Sequence, residues 1–174
     1  SYIGGIVASM TDNSKIINCG NNASITGNLN IGGVVGTCEN SEIIAVYNKG
    51  VINAKEYLVG GIVGRLQATT ENNKGIKYSY NTGKITGKYY VGGVVGYGDD
   101  HAKIYNCYNK GEVQSYSVNG NYTCLGGISS RLRAYGLITY CYNKGNIVHT
   151  STGPGVGGIL GTNEAYDGKN QVNS

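Results

Sequence analysis

Apolar positions along the chain recur in a long period and not in a helical one. A glycine pair flanked by aliphatic residues occurs six times, and the spacings between successive pairs are 28, 28, 32, 34 and 31 residues. Self-similarity at such a period is typical of solenoids and other repeat architectures. The pairs begin at Gly4, Gly32, Gly60, Gly92, Gly126 and Gly157.

A second block lies between successive glycine pairs. Its fullest copy, over residues 104–113, reads Ile-Tyr-Asn-Cys-Tyr-Asn-Lys-Gly-Glu-Val, with copies at 43–52, 76–85 and 138–147 and a degenerate one at 16–25. Extra residues fall only between the two blocks, as expected for loops that leave a constant coil. One asparagine recurs in every copy of this asparagine block, as Asn21, Asn48, Asn81, Asn109 and Asn143.

Short β-branched segments bounded by Gly and Asn predict strands and turns. A unit of about 30 residues with three such segments fits one coil of a parallel β-helix. We therefore expect an all-β fold, a parallel β-solenoid of about five to six coils with three short strands per coil. The alternative is an antiparallel sandwich or barrel, which would not naturally place identical residues at identical positions in every copy.

The whole chain, residues 1–174, is predicted to be a single β-solenoid domain. Its coils are expected at 3–30, 31–58, 59–90, 91–124 and 125–155, with a partial coil and tail over 156–174. Because the chain starts inside a repeat with no visible cap, we expect it to be a fragment of a larger protein. The polar tail from Thr162 to Ser174 is a candidate cap.

Identical residues form ladders when coils stack. The repeated asparagine is expected at a turn, where it tolerates the left-handed conformation, and its amides can hydrogen-bond along the rod. The glycine that follows it in four copies is expected at a positive φ. The glycine-pair strand carries aliphatic residues on both faces, which predicts one exposed apolar face unless a loop or a missing neighbour covers it. The small residues two positions before the asparagine are predicted to point into the core: Cys19, Val46, Ser79, Cys107 and Cys141.

A tyrosine precedes the asparagine in four copies and should point outward by alternation. The sequence therefore predicts a column of four tyrosines on one sheet, and this column is the candidate ligand-binding surface. The other interpretation is that stacked tyrosines only stabilise adjacent strands. The four residues are Tyr47, Tyr80, Tyr108 and Tyr142.

Composition and charge argue against some classes of binding partner. The chain has 30 Gly, 1 Pro and 16 Tyr, and its 14 Lys+Arg against 10 Asp+Glu give a formal charge of +4. The basic residues are scattered singly, which argues against a nucleic-acid partner. No apolar run is long enough to span a bilayer, so we expect no membrane insertion.

Candidate chemistry is sparse. Five cysteines form no Cys-x-x-Cys pair, which argues against a zinc site. Cys107 and Cys141 should stack, as reduced thiols or as a disulfide. The cluster Asp99-Asp100-His101 is a weak candidate for a cation, or else a solvated loop.

The repeated positions hold no arrangement of residues typical of a catalytic site. The ten acidic residues occupy no repeated position. That pattern excludes a calcium β-roll and offers no paired carboxylates for glycan cleavage. We expect no cofactor, no metal, no catalytic residues and no enzyme activity, although loops could still assemble a site.

The motif Val-Gly-Gly-Val-Val-Gly, at 91–96, followed by Cys-Tyr-Asn-x-Gly, at 107–111, resembles GLUG-type repeats. The resemblance covers residues 2–162. These repeats occur in bacterial surface and secreted proteins, including regions near IgA-protease-like metallopeptidases and in adhesins. The chain has no His-Glu-x-x-His motif, so the resemblance carries over no catalytic residue.

The resemblance implies an extracellular or cell-surface stalk or adhesion segment. The expected partners are a glycan or a host or cell-wall protein, together with adjacent domains of the same parent chain. One alternative is a carbohydrate- or protein-binding adhesin that uses the tyrosine column. A less favoured alternative is a polysaccharide-acting enzyme with a site built from loops.

Overall fold

The computed structural model describes residues 1–69, 74–117, 122–150, 153, 155–165 and 169–173. These residues form 28 short strands and no helix. The strands stack as parallel sheets along one axis, so the predicted all-β solenoid is confirmed. Residues 166–168 and 174, part of the tail proposed as a cap, lie outside the described residues.

The first three coils contain five strands each. Coil 1 has β1 (Ile3–Gly4), β2 (Val7–Met10), β3 (Lys15–Ile17), β4 (Gly20–Asn21) and β5 (Ile25–Gly27). Coil 2 has β6 (Ile31–Gly32), β7 (Val35–Glu39), β8 (Glu42–Ile44), β9 (Tyr47–Asn48) and β10 (Ile52–Ala54). Coil 3 has β11 (Tyr57–Gly60), β12 (Val63–Gln67), β13 (Gly75–Lys77), β14 (Tyr80–Asn81) and β15 (Ile85–Gly87).

The later coils continue the same order. Coil 4 has β16 (Tyr89–Gly92), β17 (Val95–Gly98), β18 (Lys103–Tyr105), β19 (Tyr108–Asn109) and β20 (Val113–Ser115). Coil 5 has β21 (Cys124–Gly126), β22 (Ser129–Arg133), β23 (Leu137–Thr139), β24 (Tyr142–Asn143) and β25 (Ile147–His149). The partial coil 6 has β26 (Gly155–Gly157), β27 (Leu160–Glu164) and β28 (Gln171–Asn173).

Equivalent strands of successive coils pair in parallel and build five sheets, A to E, in the order of the strands within a coil. The register is set by the repeat, because each asparagine of the second block pairs with the next one. The three predicted segments are present in every complete coil. Two of them bend, the first at the glycine pair and the second before the tyrosine, so that three segments give five strands.

The bend at the glycine pair divides the interior into two compartments. The residue before the pair, such as Val59 or Val91, faces a smaller core between sheets A and E. The residues after it, such as Val94 and Val95, face a larger core lined by sheets B and C. All of these side chains are fully buried. The predicted exposed apolar face is therefore wrong, because the bend turns both sets of side chains inward.

The asparagine ladder lies between the two compartments. A Cβ on the second glycine of a pair would overlap the side chain of the facing asparagine, as at Gly61 against Asn81 and Gly93 against Asn109. The two sequence blocks thus meet across the interior. The glycine pair leaves space that the asparagine column fills.

The left-handed residues are not the ones that we predicted. Neither the repeated asparagine nor the glycine after it has a positive φ. A Cβ on that glycine would instead overlap a backbone carbonyl oxygen of the preceding coil, as at Gly83 against Gly50. One left-handed position lies three residues before the asparagine in every copy of the block, at Asn18, Ala45, Tyr78, Asn106 and Tyr140.

Candidate functional site

The four tyrosines of the predicted column stack ring on ring along the outer side of sheet D. Ring centroids are 5.6 Å apart between Tyr47 and Tyr80, 4.9 Å between Tyr80 and Tyr108, and 5.1 Å between Tyr108 and Tyr142. The rings are nearly parallel, with interplanar angles of 16°, 2° and 6°. The structure therefore brings together all four candidate residues.

The stacking decides which part of each ring can meet a ligand. Both faces of Tyr80 and of Tyr108 are covered by the neighbouring rings. The far face of Tyr47 lies over Gly20, where a Cβ would overlap the ring. A sugar or a base cannot stack on the inner rings. What remains open is their edges and hydroxyl groups, and no described residue forms a hydrogen bond with those hydroxyls.

Lysines accompany the column. Lys49, Lys110 and Lys144 each follow a column tyrosine by two residues, and their Nζ atoms lie 5.0, 5.1 and 5.8 Å from its ring centroid. These distances are within the range of a cation–π contact. In coil 3 the equivalent residue is Thr82. Sequence reasoning missed this row, although the Tyr-Asn-Lys-Gly spacing signals it in three copies.

Tyr108, in the middle of the column, has a raised phenol pKa. Burial raises the pKa of Tyr108, and the adjacent Tyr80 and Tyr142 raise it further. A phenolate between two phenols would be poorly solvated and repelled by any ionised neighbour. Tyr108 therefore presents a hydroxyl donor, not a negative charge, at neutral pH.

The asparagine ladder holds the tyrosines in register. Alternation places each asparagine inside and the preceding tyrosine outside. The side-chain amide nitrogen of Asn48 donates to the side-chain oxygen Oδ1 of Asn81 at 2.8 Å, and the same bond joins the other adjacent asparagines of the ladder. The stacking of the amides inside fixes the stacking of the rings outside.

Asp99, Asp100 and His101 do not form a shared site. Asp99 is buried, contrary to a solvated loop, and accepts bonds from Arg65 Nε at 3.2 Å and Arg133 Nη1 at 3.1 Å. The His101 ring instead stacks on Tyr135 at 4.8 Å. The described residues contain no group of three or more His, Cys, Asp or Glu side chains that could hold a metal ion.

A second charged cluster lies nearby on sheet B. The Arg131 guanidinium lies 5.4 Å from the ring centroids of both Tyr90 and Tyr97, donates to Tyr90 Oη at 2.9 Å and forms an ion pair with Glu164. These contacts join coils 4, 5 and 6. The repeat pattern does not signal them, because the repeat position that Tyr97 and Arg131 share changes residue type from coil to coil.

The cysteines are interior thiols. All five are free, and four are buried. Burial raises the pKa of Cys38 to about 12 and also raises the pKa of Cys107. The backbone N–H of Cys107 donates to the Cys141 sulfur at 3.4 Å. Thiols with raised pKa values are poor nucleophiles at neutral pH, so Cys38 and Cys107 fill space.

One coil matches a known family. Residues 87–114, which extend from the end of β15 into β20, match the family model of the GLUG motif. The chain carries a GLUG repeat. That repeat includes Tyr108, Asn109 and Lys110, so the tyrosine column, the asparagine ladder and the lysine row all pass through the GLUG repeat.

Neither the search of curated proteins nor the search of solved structures gave a match. Within the described part of the chain, there is no helix long and apolar enough to cross a membrane.

Proposed function

We propose that this chain is a non-catalytic structural module, a rigid β-solenoid spacer that holds neighbouring parts of a larger protein apart. The observation that carries the proposal is the asparagine ladder, which runs without a break through five coils. A buried amide column of this kind fixes each coil on the next, and partial satisfaction would be costly. The repeated asparagines serve stacking, because their side-chain amides bond to one another.

The polar groups outside the ladder fit the same role. Asp99 links Arg65 in coil 3 to Arg133 in coil 5, and Arg131 links coil 5 to coil 6. Each ion pair joins different coils. We interpret these ion pairs as links between coils that resist bending of the rod and local opening of single coils.

The proposed setting is an extracellular or cell-surface bacterial protein. This part of the proposal rests on the resemblance of the repeats to those of bacterial surface and secreted proteins. The match to the GLUG motif supports the resemblance for one coil. In that setting a spacer would carry binding or catalytic domains away from the surface.

The test is a distance measurement. The chain is placed between two fluorescent reporter domains, and the distribution of reporter distances is measured by single-molecule energy transfer. Six coils at about 4.8 Å per coil give a rod of about 25 Å. A flexible linker of the same number of residues would average roughly 70 Å, with a broad distribution.

We expect a narrow distribution that persists at low denaturant concentrations and broadens only as the solenoid unfolds. The matched control is a Gly/Ser linker of equal length in the same fusion. A distribution for the chain as broad as that of the linker would contradict a rigid spacer. Turnover in a broad screen of glycan and peptide substrates would contradict the non-catalytic assignment.

A further inference from the structure

The outer surface of sheet D carries both the tyrosine column and the lysine row. We call it the tyrosine–lysine face. It spans coils 2 to 5, and the residues of one coil stand directly over those of the next. Its residues are Tyr47, Lys49, Tyr80, Thr82, Tyr108, Lys110, Tyr142 and Lys144.

The net positive charge of the chain is concentrated around this face. The five copies of the asparagine block contain five lysines and one acid, Glu112. The rest of the chain is neutral, with the remaining nine of 14 basic and nine of 10 acidic residues. The one acid is already neutralised, because Lys84 Nζ lies 2.8 Å from Glu112 Oε1.

The lysines of the face are available to a ligand. Lys49, Lys110 and Lys144 are exposed, and none of them has a salt bridge to a described carboxylate. They follow the paired tyrosines by two residues, so their backbone positions lie along the axis at multiples of the coil spacing, about 4.8 Å. A row of charges anchored at a regular spacing suits a polymer with one charge per repeating unit more than it suits a compact anion.

The stacked rings exclude one class of polyanion. Single-stranded nucleic acids are held mainly by stacking of bases on free aromatic faces. In this column the faces of Tyr80 and Tyr108 are occupied by each other and by the terminal rings. What the face offers is phenol hydroxyls beside ammonium groups, a combination that matches the hydroxyl and acid groups of charged sugars.

We propose that the tyrosine–lysine face binds a linear acidic polysaccharide that lies along the solenoid axis. The acid groups of the polymer contact Lys49, Lys110 and Lys144, and its hydroxyls bond with the tyrosine hydroxyls. Contacts through exposed ammonium groups are weak individually and are screened by salt. Affinity therefore comes from several coils acting together on one chain.

The repeat suggests one set of substitutions that should weaken polysaccharide binding and one substitution that should strengthen it. Thr82 shows that threonine fits at the lysine position, so Lys49→Thr, Lys110→Thr and Lys144→Thr can be combined without disturbing the fold. The reverse change, Thr82→Lys, completes the row. The charge-matched control combines Lys15→Thr, Lys55→Thr and Lys88→Thr, which remove the same charge from other surfaces.

Binding is measured by calorimetry at low and high salt. The probes are polygalacturonate, dextran sulfate, neutral dextran and single-stranded oligo-dT. We expect binding to one or both acidic polysaccharides, and the preferred one identifies carboxylate or sulfate as the recognised group. The triple loss variant should lose roughly 100-fold and Thr82→Lys should gain about fivefold, if each exposed contact contributes an ordinary amount.

Several results would overturn the proposal. They are no binding to either acidic polymer, equal binding of neutral dextran, oligo-dT binding as tight as the best polysaccharide, or an equal loss in the charge-matched control. Thermal melts of all variants show that a loss of binding is not a loss of folding. A rigid spacer without this activity would still pass the distance test above, so the two proposals fail independently.

Discussion

At the residue scale, the repeated asparagine uses every donor and acceptor it has. The amide of Asn81 donates to Asn109 Oδ1 and to the carbonyl oxygen of Gly83, both at 2.8 Å. Its Oδ1 accepts from Asn48 Nδ2 at 2.8 Å and from the backbone N–H of Gly83 at 3.2 Å. A side chain with no exposed surface and four satisfied bonds tolerates no substitution.

We predict that Asn81→Ala destabilises the protein by about 3–5 kcal/mol. It leaves several buried groups on Asn48, Gly83 and Asn109 without partners, and each buried unsatisfied group costs about 1–3 kcal/mol. The measurement is the free energy of unfolding from urea titration. Asn146→Ala is the control, because Asn146 is exposed and should change stability by less than about 0.5 kcal/mol. Equal losses for both would refute the ladder as a source of stability.

The residue columns could be predicted from the sequence because repetition converts sequence position into spatial position. Tyr47, Tyr80, Tyr108 and Tyr142 stack as expected. The left-handed position could not be predicted, because it holds Asn, Ala or Tyr in different coils. What fixes its conformation is a backbone bond to the next coil, as from Tyr78 N to Tyr105 O at 3.1 Å. Backbone demands of this kind leave little trace in residue type.

At the element scale, the glycine pair is a bend that two strands share. It separates β11 from β12 in coil 3, and its second glycine, Gly61, faces both Asn81 and the carbonyl oxygen of Gly93. The sequence predicted a single strand through this point. It did not predict the bend, because the aliphatic residues on both sides of the pair read as one continuous apolar run.

We predict that Gly61→Ala costs at least about 3 kcal/mol, because its Cβ would overlap backbone and the asparagine ladder at once. The control is Gly158→Ala, the same repeat position in coil 6, where a Cβ would meet nothing within 4 Å. That change should be neutral or slightly stabilising, by up to about 1 kcal/mol. The melting temperatures of Gly61→Ala and Gly158→Ala test both expectations. A loss in Gly158→Ala as large as that in Gly61→Ala would mean that the repeat position itself, and not the crowding, requires glycine.

At the scale of the whole molecule, the strands of one coil form hydrogen bonds with the equivalent strands of the coils next to it along the axis. Stability in such a stack is approximately a sum of coil and interface contributions. The terminal coil is less well covered, since Ile6 is 44% exposed while the equivalent Ile62 and Val94 are fully buried. The ion pairs between coils could not be predicted from the repeat, because the residue types at their positions change between coils, as where Tyr97 stands between Arg65 and Arg131.

We predict a gradient of hydrogen-exchange protection along the axis. Amides of coils 3 and 4 should exchange at least about tenfold more slowly than those of coil 1, because fraying starts where a coil has one neighbour instead of two. Exchange followed by mass spectrometry on peptides from each coil tests this. Uniform protection along the chain would instead indicate a single cooperative unit.

The asparagine column has a direction. In each of its four bonds, the amide nitrogen of the earlier coil donates to the carbonyl oxygen of the later coil. The column thus presents an acceptor oxygen at Asn21 and an amide hydrogen at Asn143, and the side-chain dipoles add along the axis. Two such rods could extend the column only head to tail, and an interface of that kind has no two-fold axis to close it. Any stacking that continues this column is therefore polar, with two chemically distinct ends, and cannot be two-fold symmetric.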